Sequence, residues 1–191
     1  FMGLLTIPAI GMMYFFKNYL NVTIKNLLIA NAVSVAILLF IFKLLLPSTL
    51  AYFGNAEVCF VNEIGMPFNS GTIIAGASIL LFFVCGLRYT NQKQWVNVNT
   101  GLLCVLFILI GFSSWVMLPI RSNANTVINE NAPGDARALL AYYNLEQYPD
   151  TYLFYGPMFS DMYAGQDPHT PYKDDKPKYE RDYKKNKYII V

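Results

Sequence analysis

Four apolar runs broken by short polar loops fill the first 120 residues, and a polar, tyrosine-rich remainder follows. The runs cover residues 1–16, 27–46, 71–87 and 101–119, the last reading GLLCVLFILIGFSSWVMLP. An α-helix rises about 1.5 Å per residue, so about 20 apolar residues cross a hydrocarbon core of about 30 Å. Inside lipid, backbone N–H and C=O groups must be satisfied within the segment, so the pattern predicts four spanning helices. The first run is short because the chain opens inside it. The closing KYIIV reads as a strand cut short, so the sequence looks like a window on a longer protein. No charged stretch precedes the first run, which argues against a signal peptide.

The intervening and trailing segments follow other periods. Residues 47–70 are too apolar for a free loop and too interrupted for another span. Leu50, Phe53, Val58 and Val61 mark one face of a short helix lying in the membrane interface, and residues 65–67 mark a turn. Such a segment either covers helix ends or walls a groove for a lipid-linked substrate. Gly71 and Ala75, with Ala30 and Ser34, are small residues four apart that allow close helix contact. Past the last run, Asn131 or Asp135 serves as a helix N-cap, with Pro133 and Gly134 in the entry turn. Ala136, Leu139, Leu140 and Tyr143 then recur at helical spacing. Residues 151–155 read as a strand, and the chain closes in a hairpin turning near Lys185 and Asn186. The expected fold is therefore a polytopic, all-α membrane region over residues 1–120. The start of an α+β region follows over residues 121–191.

Composition supports the membrane reading. Hydrophobic residues make up 55% of the chain and charged ones 14%, with a mean hydropathy of +0.36. Soluble domains carry about 25% charge. Charge also sets an orientation, because basic short loops stay in the cytoplasm. Loop 17–26 has Lys17 and Lys25, and loop 88–100 has Arg88 and Lys93, with no acid in either. Loop 47–70 has Glu57 and Glu63 and no base. The pattern puts loop 47–70 and residues 121–191 on the opposite, external side of the membrane.

Few residues point to chemistry. Cys59, Cys85 and Cys104 have no metal or redox spacing. His169 sits alone in a proline-rich loop, and Asp161, Asp167, Asp174 and Asp175 lack the spacing of a calcium loop. No cofactor is identifiable, and a divalent metal is not indicated. Acids offset bases in KDDKPKYERDYKKNK, which reads as a solvated face and not a nucleic-acid patch. Lys43 is the one charge within a span, about a turn from its outer end. It either snorkels to headgroups or offers a cation to a lipid phosphate. Arg121, Asn123, Asn125, Asn129 and Glu130 form a polar cluster just beyond the last span. An arginine fork there suits a phosphate at the water–lipid boundary, and an ordinary polar exit from the membrane is the plainer reading.

Two stretches carry a resemblance. FVNEIGMPFNSG (residues 60–71) and IRSNANTVINENAPGDARALLAYYNLEQYPDTYLFYG (residues 120–156) resemble a family of large Bacteroidetes membrane proteins long without an assigned function. That family is similar to the GT-C membrane glycosyltransferases and related to an animal protein O-mannosyltransferase of the endoplasmic reticulum. The matching positions are Asn62, Gly65, Pro67, Asn69, Arg121, Asn123, Asn125, Asn129, Glu130, Glu146, Gln147 and Tyr148. The resemblance implies a bacterial inner-membrane enzyme that transfers a sugar, mannose being the one it suggests, from a polyprenyl-phosphate donor to Ser or Thr of an exported protein on the periplasmic face. It places the catalytic acid in an upstream external loop outside this window, so no catalytic residue is carried over. Arg121 and Lys43 are the candidates for phosphate contact. The alternative is a non-enzymatic subunit or scaffold of a larger envelope complex.

Overall fold

The computed structural model describes residues 3, 6–18, 23–124, 126–148 and 177–190. Seven α-helices and a two-stranded antiparallel sheet are found among them. The expected strand at 151–155, His169 and Asn125 lie outside the described residues.

Three helical rods are long and apolar enough to cross a membrane: Ile24–Asn62, Ser70–Gln92 and Val96–Ser122. Their apolar side chains face outward; Leu28, Ile37, Ile73, Leu81 and Phe107 are all exposed. Helices apolar on every side with few buried residues have lipid, and not a protein core, as their solvent. The expected first span appears as α1 (Ile7–Asn18), whose 12 residues are short of a crossing. Pro8 falls in its first turn, where the missing N–H costs nothing.

The longest rod joins α2 (Ile24–Phe40) to α3 (Leu46–Asn62) through a π-helical turn (Ile41–Leu45). Its cause is Pro47, which has no N–H and crowds the carbonyl four residues back. The chain widens just upstream, where the Leu46 N–H reaches the Ile41 carbonyl five residues away. Two expectations are corrected here. The segment after residue 47 is not a separate interfacial helix but the continuation of the rod. Lys43 is consequently mid-rod, in the π turn and exposed, not a turn from a helix end. A second proline acts likewise: α5 (Val96–Phe112) tightens into a 3₁₀ turn (Ser113–Val116) before α6 (Met117–Ser122), which contains Pro119.

The chain divides into two compact units. One comprises Phe1–Phe53 with Ile73–Met117, and the other Gly54–Thr72 with Leu118–Val191. In the first, α1 packs on α2 where Gly11 meets Ser34; a Cβ on Gly11 would come within 2.1 Å of the Ser34 hydroxyl. The small residue opposite Ser34 is therefore Gly11. Gly71, expected to share that contact, belongs to the second unit and lies on the α3 backbone, where its Cβ would stand 2.5 Å from the Glu57 Cα.

The second unit gathers the end of α3, the start of α4 (Ser70–Gln92), α7 (Ala136–Tyr143) and the hairpin β1 (Tyr179–Asp182) to β2 (Lys187–Ile190). The hairpin pairs Arg181 with Tyr188, and Asn186 takes a left-handed φ of 50° in its turn. Of the two possible N-caps, Asp135 holds the position: its Oδ1 accepts from the Ala138 N–H at 2.8 Å. Leu139 and Leu140 are buried as expected, with Leu140 against Gly54 of α3.

Candidate functional site

The most enclosed polar group among the described residues is Glu57, whose side chain is fully buried. Leu46, Leu50, Glu57 and Val61 are all buried, and their spacing of 4, 7 and 4 puts them on one face of the rod. A carboxylate on such a face must have partners, since burying an unpaired charge is costly. Glu57 has four. Its Oε2 accepts from the backbone N–H and the hydroxyl of Thr72, at 2.8 and 2.9 Å. Its Oε1 accepts from the Asn69 N–H and, at 3.4 Å, from the Tyr188 hydroxyl. Glu57 thus caps α4 from a neighbouring helix: it satisfies N–H groups that the first helical turn leaves orphaned and sets a negative charge at the positive end of the helix dipole. Glycine at position 71 leaves the room for it.

The hairpin is tied to the same place. The Asn62 side chain behaves like a strand residue: its Nδ2 donates to the Tyr188 carbonyl at 2.9 Å and its Oδ1 accepts the Tyr188 N–H at 2.7 Å. Asn186 donates to the Met66 carbonyl at 3.3 Å. Arg181 closes the cluster. Its Nε reaches Asp135 Oδ2 at 2.9 Å and the Tyr188 hydroxyl at 3.1 Å, and a terminal nitrogen donates to Asn69 Oδ1 at 2.8 Å. The guanidinium also lies 5.0 Å from the Phe68 ring centre and 5.7 Å from that of Tyr188, both within cation–π range. Burial opposes the Arg181 charge, but the Asp135 carboxylate together with Tyr188 and Tyr183 outweighs it, so its pKa is raised. Burial, with the Asp135 charge adding to it, raises the Tyr188 pKa and outweighs the Arg181 contacts that lower it. A second ion pair, Arg137 with Glu146 at 3.0 Å, fastens the end of α7, and Arg137 stacks 4.3 Å from the Tyr179 ring centre.

This geometry is closed. Both Glu57 oxygens already accept two hydrogen bonds, and Asp135 divides its oxygens between the α7 cap and Arg181. Every carboxylate oxygen of Glu57 and Asp135 already has a partner among the described residues. The cluster is a clamp that joins α3, α4, α7 and the hairpin within the second unit, and Asn62 and Asn69 are two of its parts.

The expected phosphate-contact residues fall elsewhere. Arg121 ends α6, exposed, and makes no ion pair among the described residues. Asn123 and Asn129 fix the loop after it: Asn123 donates to the Gly134 carbonyl at 2.8 Å, and Asn129 donates to the Ser122 carbonyl at 3.0 Å. Glu130 is exposed in that loop. Lys43 belongs to the other unit. No group of three or more His, Cys, Asp or Glu suited to a metal occurs among the described residues.

The structure thus defines a helical chain with three helices able to cross a membrane and a small clamped α+β unit. Comparison with family models, with curated proteins and with solved structures gives no match.

Proposed function

We propose that this chain is part of a multi-pass glycosyltransferase of the bacterial inner membrane. It transfers a sugar, mannose in the first instance, from a polyprenyl phosphate to Ser or Thr of exported proteins on the periplasmic face. The observation that supports this reading is the loop headed by Arg121. An apolar helix ends in an exposed guanidinium without an ion pair among the described residues, and two asparagine staples hold the loop beside it. A fixed, uncommitted arginine at the end of such a helix suits the phosphate of a lipid-linked donor, where its planar fork binds two oxygens. The resemblance of residues 60–71 and 120–156 to the GT-C-like family points the same way. The clamp supplies a rigid mount, and the catalytic acid belongs to a part of the protein outside this chain.

The test is Arg121→Ala in the whole protein. Transfer to an exported acceptor falls at least about tenfold, equivalent to about 1.4 kcal/mol of transition-state binding, while thermal stability stays as in the wild type. Unchanged transfer, or an unaltered glycoprotein profile in a deletion strain, refutes the reading. A reporter fused after residue 121 is to be active outside the cytoplasm.

A second reading, a non-enzymatic subunit of an envelope complex, is favoured by Val127 and Ile128. Both side chains are exposed in the Arg121 loop, where they would suit a partner protein. Stable co-purification of partners from a strain whose glycoproteins are unchanged selects it.

A further inference from the structure

The first unit carries charge of one sign only. Lys17, Lys25, Lys43, Arg88 and Lys93 fall within it, and no Asp or Glu does. Arg88 and Lys93 stand at one place, where α4 and α5 are joined by residues 93–95 alone. Both are exposed, and neither makes an ion pair among the described residues. The 23 residues of α4 extend about 35 Å against a hydrocarbon core of about 30 Å, so its last turn reaches headgroup level. A three-residue link to a second crossing helix spans at most about 10 Å and stays there. The turn itself is fixed. The Trp95 N–H donates to the Thr90 carbonyl at 3.0 Å and the Gln94 N–H to that of Asn91 at 3.1 Å, with Gln94 at a left-handed φ of 57°. From α5, Asn99 donates to the Thr90 hydroxyl at 2.8 Å and the Leu87 carbonyl at 3.3 Å. Tyr89 and Trp95 meet edge to face, with ring centres 6.0 Å apart, and each is about half exposed. Such rings, apolar in body and polar at one tip, suit the boundary between lipid and water.

We infer that the α4–α5 turn is a docking surface for anionic phospholipid headgroups, with Arg88 and Lys93 on their phosphates and Tyr89 and Trp95 at the level of the glycerol. Charge complementarity selects this occupant. No carboxylate of the first unit can pair with the two cations, and the nearest acids along the chain are Glu63 and Glu130. Continuity with the bilayer selects lipid over a soluble anion, because the turn links two helices that are themselves apolar enough to cross. Each Lys or Arg at the surface of an anionic leaflet is worth about fivefold in binding. A turn already fixed by hydrogen bonds loses little freedom on contact. The site is independent of sugar transfer and stands or falls without it.

The test places the whole protein in phosphatidylcholine vesicles in which a minor share of the lipid is brominated, either phosphatidylglycerol or phosphatidylcholine. Bromine on the upper acyl chain quenches tryptophan emission on near contact, and Trp95→Phe isolates the share that belongs to Trp95. The expected result is quenching of Trp95 by brominated phosphatidylglycerol at least threefold above that by brominated phosphatidylcholine. Salt at 1 M, where screening acts over about 3 Å, shrinks the excess. Arg88→Gln with Lys93→Gln abolishes it, while quenching by brominated phosphatidylcholine stays as in the wild type and shows the turn still in place. Equal quenching by the two lipids overturns the proposal and assigns the cations to water or to an acidic protein partner. No quenching by either lipid takes the turn off the bilayer and overturns it too. An excess that survives in the double variant refutes the role of the cations. An excess removed by inorganic phosphate at constant ionic strength makes the ligand a soluble anion, against the proposal.

Discussion

Replacing Glu57 with Gln tests the clamp most directly. The amide keeps one acceptor oxygen and substitutes an NH₂ for the other. On the Thr72 side, that NH₂ opposes a backbone N–H and a hydroxyl; on the other side, it opposes the Asn69 N–H and the Tyr188 hydroxyl. The hydroxyls can turn away, but the backbone N–H cannot, so either placement orphans at least one. An orphaned buried donor costs about 1–3 kcal/mol. The surviving bonds also lose charge assistance, which about doubles the strength of such bonds, and the dipole term of about 0.3–1 kcal/mol disappears. Against this, the neutral side chain escapes the several kcal/mol of desolvation that a buried carboxylate bears. Since all four acceptor positions of the carboxylate are filled, the loss dominates, and we expect a net destabilisation of about 2 kcal/mol. Glu57→Ala orphans all four donors and opens a void, for about 3–5 kcal/mol. Amide hydrogen exchange in the detergent-solubilised protein is the assay. At Asn69 and Thr72 a 2 kcal/mol loss speeds exchange by about thirtyfold, since each 1.4 kcal/mol is tenfold. Glu63→Gln, at an exposed position, is the control. Exchange within about twofold of wild type in both Glu57 variants would refute the reasoning.

Other consequences are as direct. Gly71→Ala would place a methyl 2.5 Å from the Glu57 Cα and 2.6 Å from the Ala56 carbonyl, so backbone must move; about 2–3 kcal/mol of stability is lost, read by thermal unfolding. Asn62→Ala removes both hydrogen bonds to the Tyr188 backbone, and protease cleavage within residues 183–186 accelerates while the membrane rods stay protected. Alkaline pH loosens the hairpin for a defined reason. The folded-state pKa of Tyr188 is raised, so its contribution is fully present below the unfolded value of about 10 and is lost as pH climbs through the folded one. Tyrosinate absorbance then rises together with hairpin proteolysis, and Tyr188→Phe removes that coupling. Arg181→Lys keeps the charge but loses the fork that reaches Asp135, Tyr188 and Asn69 at once, weakening hairpin docking by about 1–2 kcal/mol in the same proteolysis assay.

The sequence by itself determined the helices that need lipid, because hydrocarbon demands a long unbroken apolar run and tolerates no other backbone. It also determined the hairpin and α7, since turn residues and caps act over three or four positions, but left the cap open between Asn131 and Asp135. It did not reveal that Pro47 leaves the rod continuous, so Lys43 seemed near a helix end. A proline flanked by helix formers can end a helix or merely widen it, and neighbouring packing decides. The clamp was legible only in fragments. Asn62 and Asn69 stood out through the family resemblance, and the buried spacing of Leu46, Leu50, Glu57 and Val61 was there to be counted. Their partners Arg181 and Tyr188 lie more than a hundred residues along the chain, and no local period links them. Only the tertiary fold brings a buried carboxylate, a helix start and a distant hairpin into hydrogen-bonding range, because those bonds exist once water has been excluded from all of them together.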